Sequence, residues 1–342
     1  MEKYPKTRPL IDAYSHILPQ PYFELLGEIA PDKGAIKRWL NIPVLWDLEA
    51  RLEMMECFPG YQQILTLSSP PIESFTTPDQ APEVAAMAND LMAEICEKYP
   101  EQFPAWVAAL PMNSFEAVLL EIERAFKLPN CCGVQIFTNV AGRPLDDPEF
   151  RPLFAEMERR DFPIWMHPAR AAKFPDYRTE EESKYEIWWT FGWPYETSAA
   201  MARLVFSGIM LEYPGLKIIT HHMGAMIPFF EGRVGYGWDQ LGSRTPGTEL
   251  ADLLASMPER PVEYFRRFYA DTALCGSVAG TKCGLDFFGA EHTLFGTDCP
   301  FDPDGGPLYI EKTIEVIEQL GLSDDESEAI YHRNLARLAG LS

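Results

Sequence analysis

The chain has 342 residues, 51 of them acidic and 29 basic, for a formal charge of -22 and a pI near 4.7. A field of that sign repels nucleic acid, whose affinity comes from neutralised phosphates, and anionic membrane surfaces alike, and an anionic small molecule would need local arginines to offset it. No apolar run approaches the ~20 residues that span a bilayer, the opening MEKYPKTRPLIDAYSH has no signal-peptide core, and seven cysteines without a paired framework or a C-x-x-C pair fit reduced thiols in a cytoplasmic protein.

Eight compact apolar runs, each closed by Pro, Gly or a polar residue, read as buried parallel strands. In chain order they are PLIDAYSH (9–16), QQILTLSSP (62–70), FPAWVAALPM (103–112), CCGVQIFTNV (131–140), FPIWMHP (162–168), LKIITHHMG (216–224), RFYADTAL (267–274) and HTLFGTDCP (292–300). Helical patterns separate them. WDLEARLEMMECF follows the first strand. In PEVAAMANDLMAEICEKY, Val84, Met87, Leu91, Ile95 and Cys96 fall roughly on one stripe. Ser114 stands where an N-cap would open SFEAVLLEIERAFK. Two further helical segments precede the fifth and sixth strands, and two follow the eighth. Eight strand–helix repeats predict an α/β fold, a (β/α)8 TIM barrel, as one domain over residues 1–342. The length above ~250 residues is assigned to insertions at 18–45 and 169–194, after strands one and five, where they cover the C-terminal mouth.

The chemistry-bearing side chains gather at that mouth. Asp12, Tyr14 and His16 lie on strand one, His167 ends strand five, His221 and His222 end strand six, and Asp298 ends strand eight. Strand C-termini converge on one rim in such a barrel, and several histidines meeting there with an aspartate point to a metal rather than to an inert core. His292 opens strand eight at the opposite end and His332 lies on a C-terminal helix, so both read as structural. Cys299 follows Asp298 and should face away from the site.

IDAYSHILP, WMHP, LKIITHHMGAMIPFFEGRV and LFGTDCPFDPDGG together resemble the amidohydrolase superfamily. They look most like its branch of aminocarboxymuconate-semialdehyde and γ-resorcylate decarboxylases. The resemblance runs from strand one to the helix of Asn334. It implies one divalent metal, zinc first and manganese second, held by His16, His167 and Asp298, with His222 as the histidine that acts as acid and base or holds a catalytic water. His221 has no counterpart, and alternation would turn it away from His222, into packing or outer support. Tyr14 departs from the pattern, standing where the family has a first strand-one histidine. Three readings stay open for it: a phenolate ligand, a hydrogen-bonding or proton-donating neighbour, or the mark of a metal-free enzyme or binding protein.

The resemblance favours non-oxidative decarboxylation, a C–C lyase reaction, on a small cyclic or unsaturated carboxylic acid. Asp298 or His222 would then supply the proton. Hydrolysis of an amide, lactone or C–C bond is the alternative on the same metal motifs. Arg170 and Arg233 are the candidate clamps for a substrate carboxylate. Trp188, Trp189 and Trp193, in YEIWWTFGWPYE, form either an apolar wall for a planar ring or a homodimer interface. Relatives often form dimers, so a homodimer is expected.

Overall fold

The computed structural model describes residues 9–30 and 33–341. Residues 1–8, which enter the leader-peptide reading, lie outside them. Eight strands pair in chain order: β1 (Leu10–Ile17), β2 (Tyr61–Leu67), β3 (Ala105–Ala109), β4 (Cys131–Phe137), β5 (Ile164–His167), β6 (Ile218–Thr220), β7 (Tyr269–Asp271) and β8 (Thr293–Leu294). Every pairing between neighbours is parallel. The eighth strand returns to the first. The Ala13 amide donates to the Phe295 carbonyl and the His16 amide to the Cys299 carbonyl, both at 2.8 Å. With helices on its outer face, the sheet is a (β/α)8 barrel.

Two apolar layers hold it. Inside the barrel, Ile11, Ala13, Tyr14, Ile64, Val107, Trp165, Ile219 and Leu294 form a cluster whose N-terminal end is closed by Leu335 and Leu338. Outside, a larger cluster joins the strands to the helices. Asn334–Ala339 is the helix that plugs the barrel floor. Among the described residues no helix is long and apolar enough to cross a membrane, and all seven cysteines are unpaired.

Helix Ala81–Lys98 forms where the periodicity places it, but the buried stripe is Ala81, Ala85, Ala88, Met92 and Cys96, with Val84 beside it. The small alanines let the helix sit close to the sheet, leaving Met87, Leu91 and Ile95 half-buried. Ser114 occupies the N-cap position of Phe115–Ala125 without a side-chain cap bond. After β1 come helices Gln20–Ile29, Lys33–Leu40 and Pro43–Trp46, and after β5 an irregular stretch leads to Ile187–Thr190 and Gly192–Phe206. A third long connection, between β6 and β7, was not expected; it carries a π-helical turn at Arg233–Gly237 and helices Glu249–Ser256 and Pro261–Phe265. The run at 131–140 spans both β4 and the first strand of a small hairpin, Asn139–Val140 with Arg143–Pro144.

A register shift between Asp12 and Ser15 of β1 inserts a residue against β2. Such a bulge sends two consecutive side chains to one face, and Ala13 and Tyr14 both join the interior cluster. Asp12 turns the other way. Its carboxylate accepts from Thr297 Oγ1 and Tyr61 Oη at 2.5 Å each, from Ser15 Oγ at 3.2 Å, and from the Tyr14 and Thr297 amides. Burial pushes this carboxyl up to about 6, against those hydrogen bonds. Asp12 is a knot at the seam of β1 and β8, not a group at the mouth.

Candidate metal and catalytic centre

Strand alternation decides which side chains reach the mouth. Trp165, Ile219 and Leu294 face the barrel interior, so His167, His221 and Asp298 follow in the same register. Tyr269 packs against the interior cluster, which directs Asp271 inward as well. On β1 the bulge brings Tyr14 inward and His16 after it.

The rings of His16, His167 and His221 are each oriented through Nδ1, which leaves Nε2 for the site. Thr66 Oγ1 gives its proton to the Ser15 carbonyl and lies 3.2 Å from His16 Nδ1, so it accepts from that nitrogen. His16 Nε2 is buried without a hydrogen-bond partner, 3.3 Å from Asp298 Oδ1. His167 Nδ1 donates to the Pro168 carbonyl at 2.7 Å. His221 Nδ1 pairs with Asp271 Oδ2 at 2.5 Å, and its Nε2 lies 3.3 Å from Asp298 Oδ1. His222 Nε2 is 3.6 Å from Asp298 Oδ2. Buried Arg51 braces β1 from behind, donating to the His16 carbonyl and to Val44 O.

The electrostatics follow from this packing. Burial lowers His16, against the pull of Asp298. Burial, reinforced by the neighbouring histidines, holds His167 well below the ordinary imidazole value. Both rings are therefore neutral, with a lone pair on Nε2. For His221 burial opposes protonation, but the carboxylates of Asp271 and Asp298 outweigh it and carry the ring up to about 9. Burial also works against ionised Asp298, yet the imidazoles of His16, His221 and His222 hold its carboxyl well below the carboxylate range. Burial raises the Tyr14 phenol well above its ordinary value, and Asp271 and Asp298 push the same way. Tyr14 is a neutral phenol.

These side chains fit a divalent ion. One nitrogen each from His16, His167 and His221 lie within 4.8 Å of one another, and so do ligand atoms of His221, His222 and Asp298. Imidazole and carboxylate donors suit zinc, manganese or iron. His221 is thus not the packing residue expected from the sequence. The alternation argument was sound but started from the wrong parity. The interior face runs through Ile219 to His221, and His222 returns to the site because the strand ends there in a left-handed turn, φ 58°. Asp298 has φ 64°. Such backbone at non-glycine residues is uncommon and clusters at active sites.

Residues 43–341 match the family model described as Amidohydrolase. The chain belongs to the amidohydrolase family. It is 30% identical over 305 residues to the γ-resorcylate decarboxylase of Rhodococcus jostii, covering 85% of this chain and 86% of that one. It is 27% identical over 297 residues to the 2-amino-3-carboxymuconate-6-semialdehyde decarboxylase of Dictyostelium discoideum, covering 86% and 77%. Its fold is similar to that of the dihydroxybenzoic acid decarboxylase of Polaromonas sp. JS666, solved with manganese and 2-nitroresorcinol. That match has a TM-score of 0.78 at 25% identity and covers 98% of each chain.

Around the histidines this amidohydrolase has aromatic walls. Trp193 stands edge-on to His167 at 5.5 Å, Phe137 lies 5.3 Å from the same ring, and Phe301 lies 5.5 Å from His16. Trp188 and Trp189 back Trp193 at 5.5 and 6.5 Å. Arg170 is near the mouth but engaged: Nη1 binds Glu196 at 2.8 Å and the guanidinium lies 4.0 Å from the Phe174 ring centroid, leaving only Nε buried and unpartnered. Arg233 is exposed, 5.9 Å from Phe230, and is not brought to the cluster. His292 is structural, donating to the Arg266 and Phe268 carbonyls and stacking on Tyr269. Cys299 faces Gln63, away from the site. Sequence reasoning missed Asp271, Phe137 and Phe301. Asp271 carried the same signal as Asp298, an aspartate closing an apolar strand.

Proposed function

We propose that this amidohydrolase is a metal-dependent non-oxidative decarboxylase of a small aromatic or similarly planar carboxylic acid. The observation that carries the reading is the constellation of four imidazoles, ionised Asp298 and enclosing aromatic rings at one barrel mouth, in a chain whose relatives are decarboxylases. His16, His167 and Asp298 offer donors for the ion, and manganese in the Polaromonas relative supports that metal beside zinc. A bound ion would supply Lewis-acid charge for the substrate's carboxylate or a neighbouring oxygen.

Ionised Asp298 is not the proton donor in the resting site. It lies against the imidazole of His222, the most exposed of the site histidines at 19%, and in this reading that ring delivers a proton to the ring carbon bearing the carboxylate. The C–C bond then breaks, its electron pair returns to the ring, and CO2 leaves. Trp193, Phe137 and Phe301 give the planar substrate an apolar slot. The exposed rings of Tyr185, Phe191 and Tyr195 on the segment after β5 support a homodimer through that face.

Hydrolysis is the second reading, favoured by one observation: an ionised carboxylate beside the ligand cluster is also what activates water. Incubation with γ-resorcylate, 6-methylsalicylate and 5-carboxyvanillate in deuterated water separates the two. Decarboxylation releases CO2 and leaves deuterium on the vacated carbon. Turnover of an amide or lactone without CO2 from any acid tried would replace this proposal with the hydrolase.

A further inference from the structure

The geometry points to His221, and not Tyr14, as the ligand that completes the metal site with His16, His167 and Asp298. This rests on the metal dependence proposed above and goes beyond it by assigning a donor on β6 to the place left by the β1 residue.

Four observations converge. His221 belongs to both groups of potential ligands, the one with His16 and His167 and the one with His222 and Asp298. Its Nδ1 is committed to Asp271 at 2.5 Å, so Nε2 presents a lone pair to the mouth once a metal replaces the ring's second proton. A carboxylate behind an imidazole is the support that metal-bound histidines characteristically have. Asp271 is itself fixed, its other oxygen accepting from the His222 and Ala273 amides at 3.0 Å. Finally, Tyr14 lies flat against His221, ring centroids 4.0 Å apart and planes 22° from parallel.

That last contact shows how two residues can exchange roles. A phenol in place of an imidazole fills the β1 side of the site with a ring. The stack presses that ring on His221 and limits its rotation, while Asp271 fixes the other end. Tyr14 is then a positioning residue: it acts on the metal through His221, and its buried hydroxyl stays unpartnered within the protein.

The test titrates chelator-treated full-length protein with Mn2+ or Zn2+ and reads bound metal by elemental analysis and the metal-induced rise in melting temperature. Wild type should take up about one ion per chain. His221→Gln should weaken binding at least tenfold, while Tyr14→Phe and His222→Gln stay within about threefold. In His221→Gln, adding Tyr14→His should restore binding, an effect that repair of the fold alone would not produce. Copper(II)-loaded wild type gives a readout that needs no variant to fold: it should lack the visible tyrosinate-to-metal charge-transfer band. Such a band, or loss of metal in Tyr14→Phe with retention in His221→Gln, would overturn the assignment. So would a wild type that takes up no metal. None of these readouts depends on turnover, so failure to release CO2 would count against the decarboxylase and not against His221.

Discussion

The two sides of the barrel mouth handle polar groups in opposite ways. On β1 and β5–β8, four imidazoles and two carboxylates sit within reach of one another: Asp271 beside His221, Asp298 beside His16, His221 and His222, and His167 on a carbonyl, with His16 Nε2 and the Tyr14 hydroxyl left without a hydrogen-bond partner. On β2–β4, the wall is mainly apolar, with Leu67, Ile72, Leu110 and Met112 around Glu73 and Gln135. There Glu73 Oε1 and Gln135 Oε1 are buried without partners, as is the hydroxyl of nearby Tyr22. An unmet buried polar atom costs about 1–3 kcal/mol, and native proteins keep few of them. One side therefore sets ionisable groups against one another. The other embeds a few isolated polar atoms in an apolar surface. Phe137 joins them: it lines the apolar side and its ring lies 5.3 Å from that of His167.

Breaking the charged side should give the largest effect. Asp298→Asn removes both a proposed metal donor and the anion beside His222, and turnover should fall by about 10³ or more with the fold intact by circular dichroism. Activity close to wild type would mean that the chemistry lies elsewhere. Asp271→Asn keeps the shape and removes the charge behind His221. Metal affinity should fall about 10–100-fold on titration of the apo-protein, and an unchanged affinity would reduce Asp271 to a backbone brace. Phe137→Leu probes the junction. It trims the slot without touching a charge, so KM should rise about three- to tenfold with kcat near wild type. The reverse pattern would place Phe137 with the catalytic groups.

The sequence revealed the charged side far better than the apolar one, and for a physical reason. His16, His167, His222 and Asp298 stand out because burying ionisable side chains at strand ends is costly, and an inert core seldom does it. The barrel was equally legible, since eight apolar runs alternate with helical patterns. His221 was visible but misassigned, because parity along a strand cannot be counted without knowing which residue faces in, and Ile219 settles that only in three dimensions. The bulge that turns Tyr14 inward has no local sequence signature. Glu73 was not legible at all. It sits on a short 3-10 turn, Ile72–Ser74, in a loop whose composition looks solvated, and only the fold shows that its oxygen is buried. The long β6–β7 connection was missed because its helices are short and irregular.

Glu73 also gives the subtlest test of the contrast. Burial raises its carboxyl from the ordinary 4.5 to about 7, with only its own backbone amide opposing. An acid whose folded value lies above its unfolded one holds more protons folded than unfolded between the two. Stability contributed by the protonated form is therefore complete below pH 4.5 and is lost as pH rises through about 7. Glu73→Gln keeps the shape and cannot ionise, so its stability should not decline through that window. The variant should gain about 1–3 kcal/mol on wild type between pH 4.5 and pH 8, seen as a relative melting-temperature increase of about 2–5 °C. Parallel stability curves at every pH would mean that water solvates the ionised carboxylate in place, and the β2–β4 side would then be a wet surface rather than an apolar slot. A bound substrate that donates a hydrogen bond to Glu73 sharpens the same experiment. It favours the ionised form, lowers the carboxyl, and should narrow the gap between variant and wild type at pH 8, whereas a ligand held only by the charged side should leave that gap unchanged.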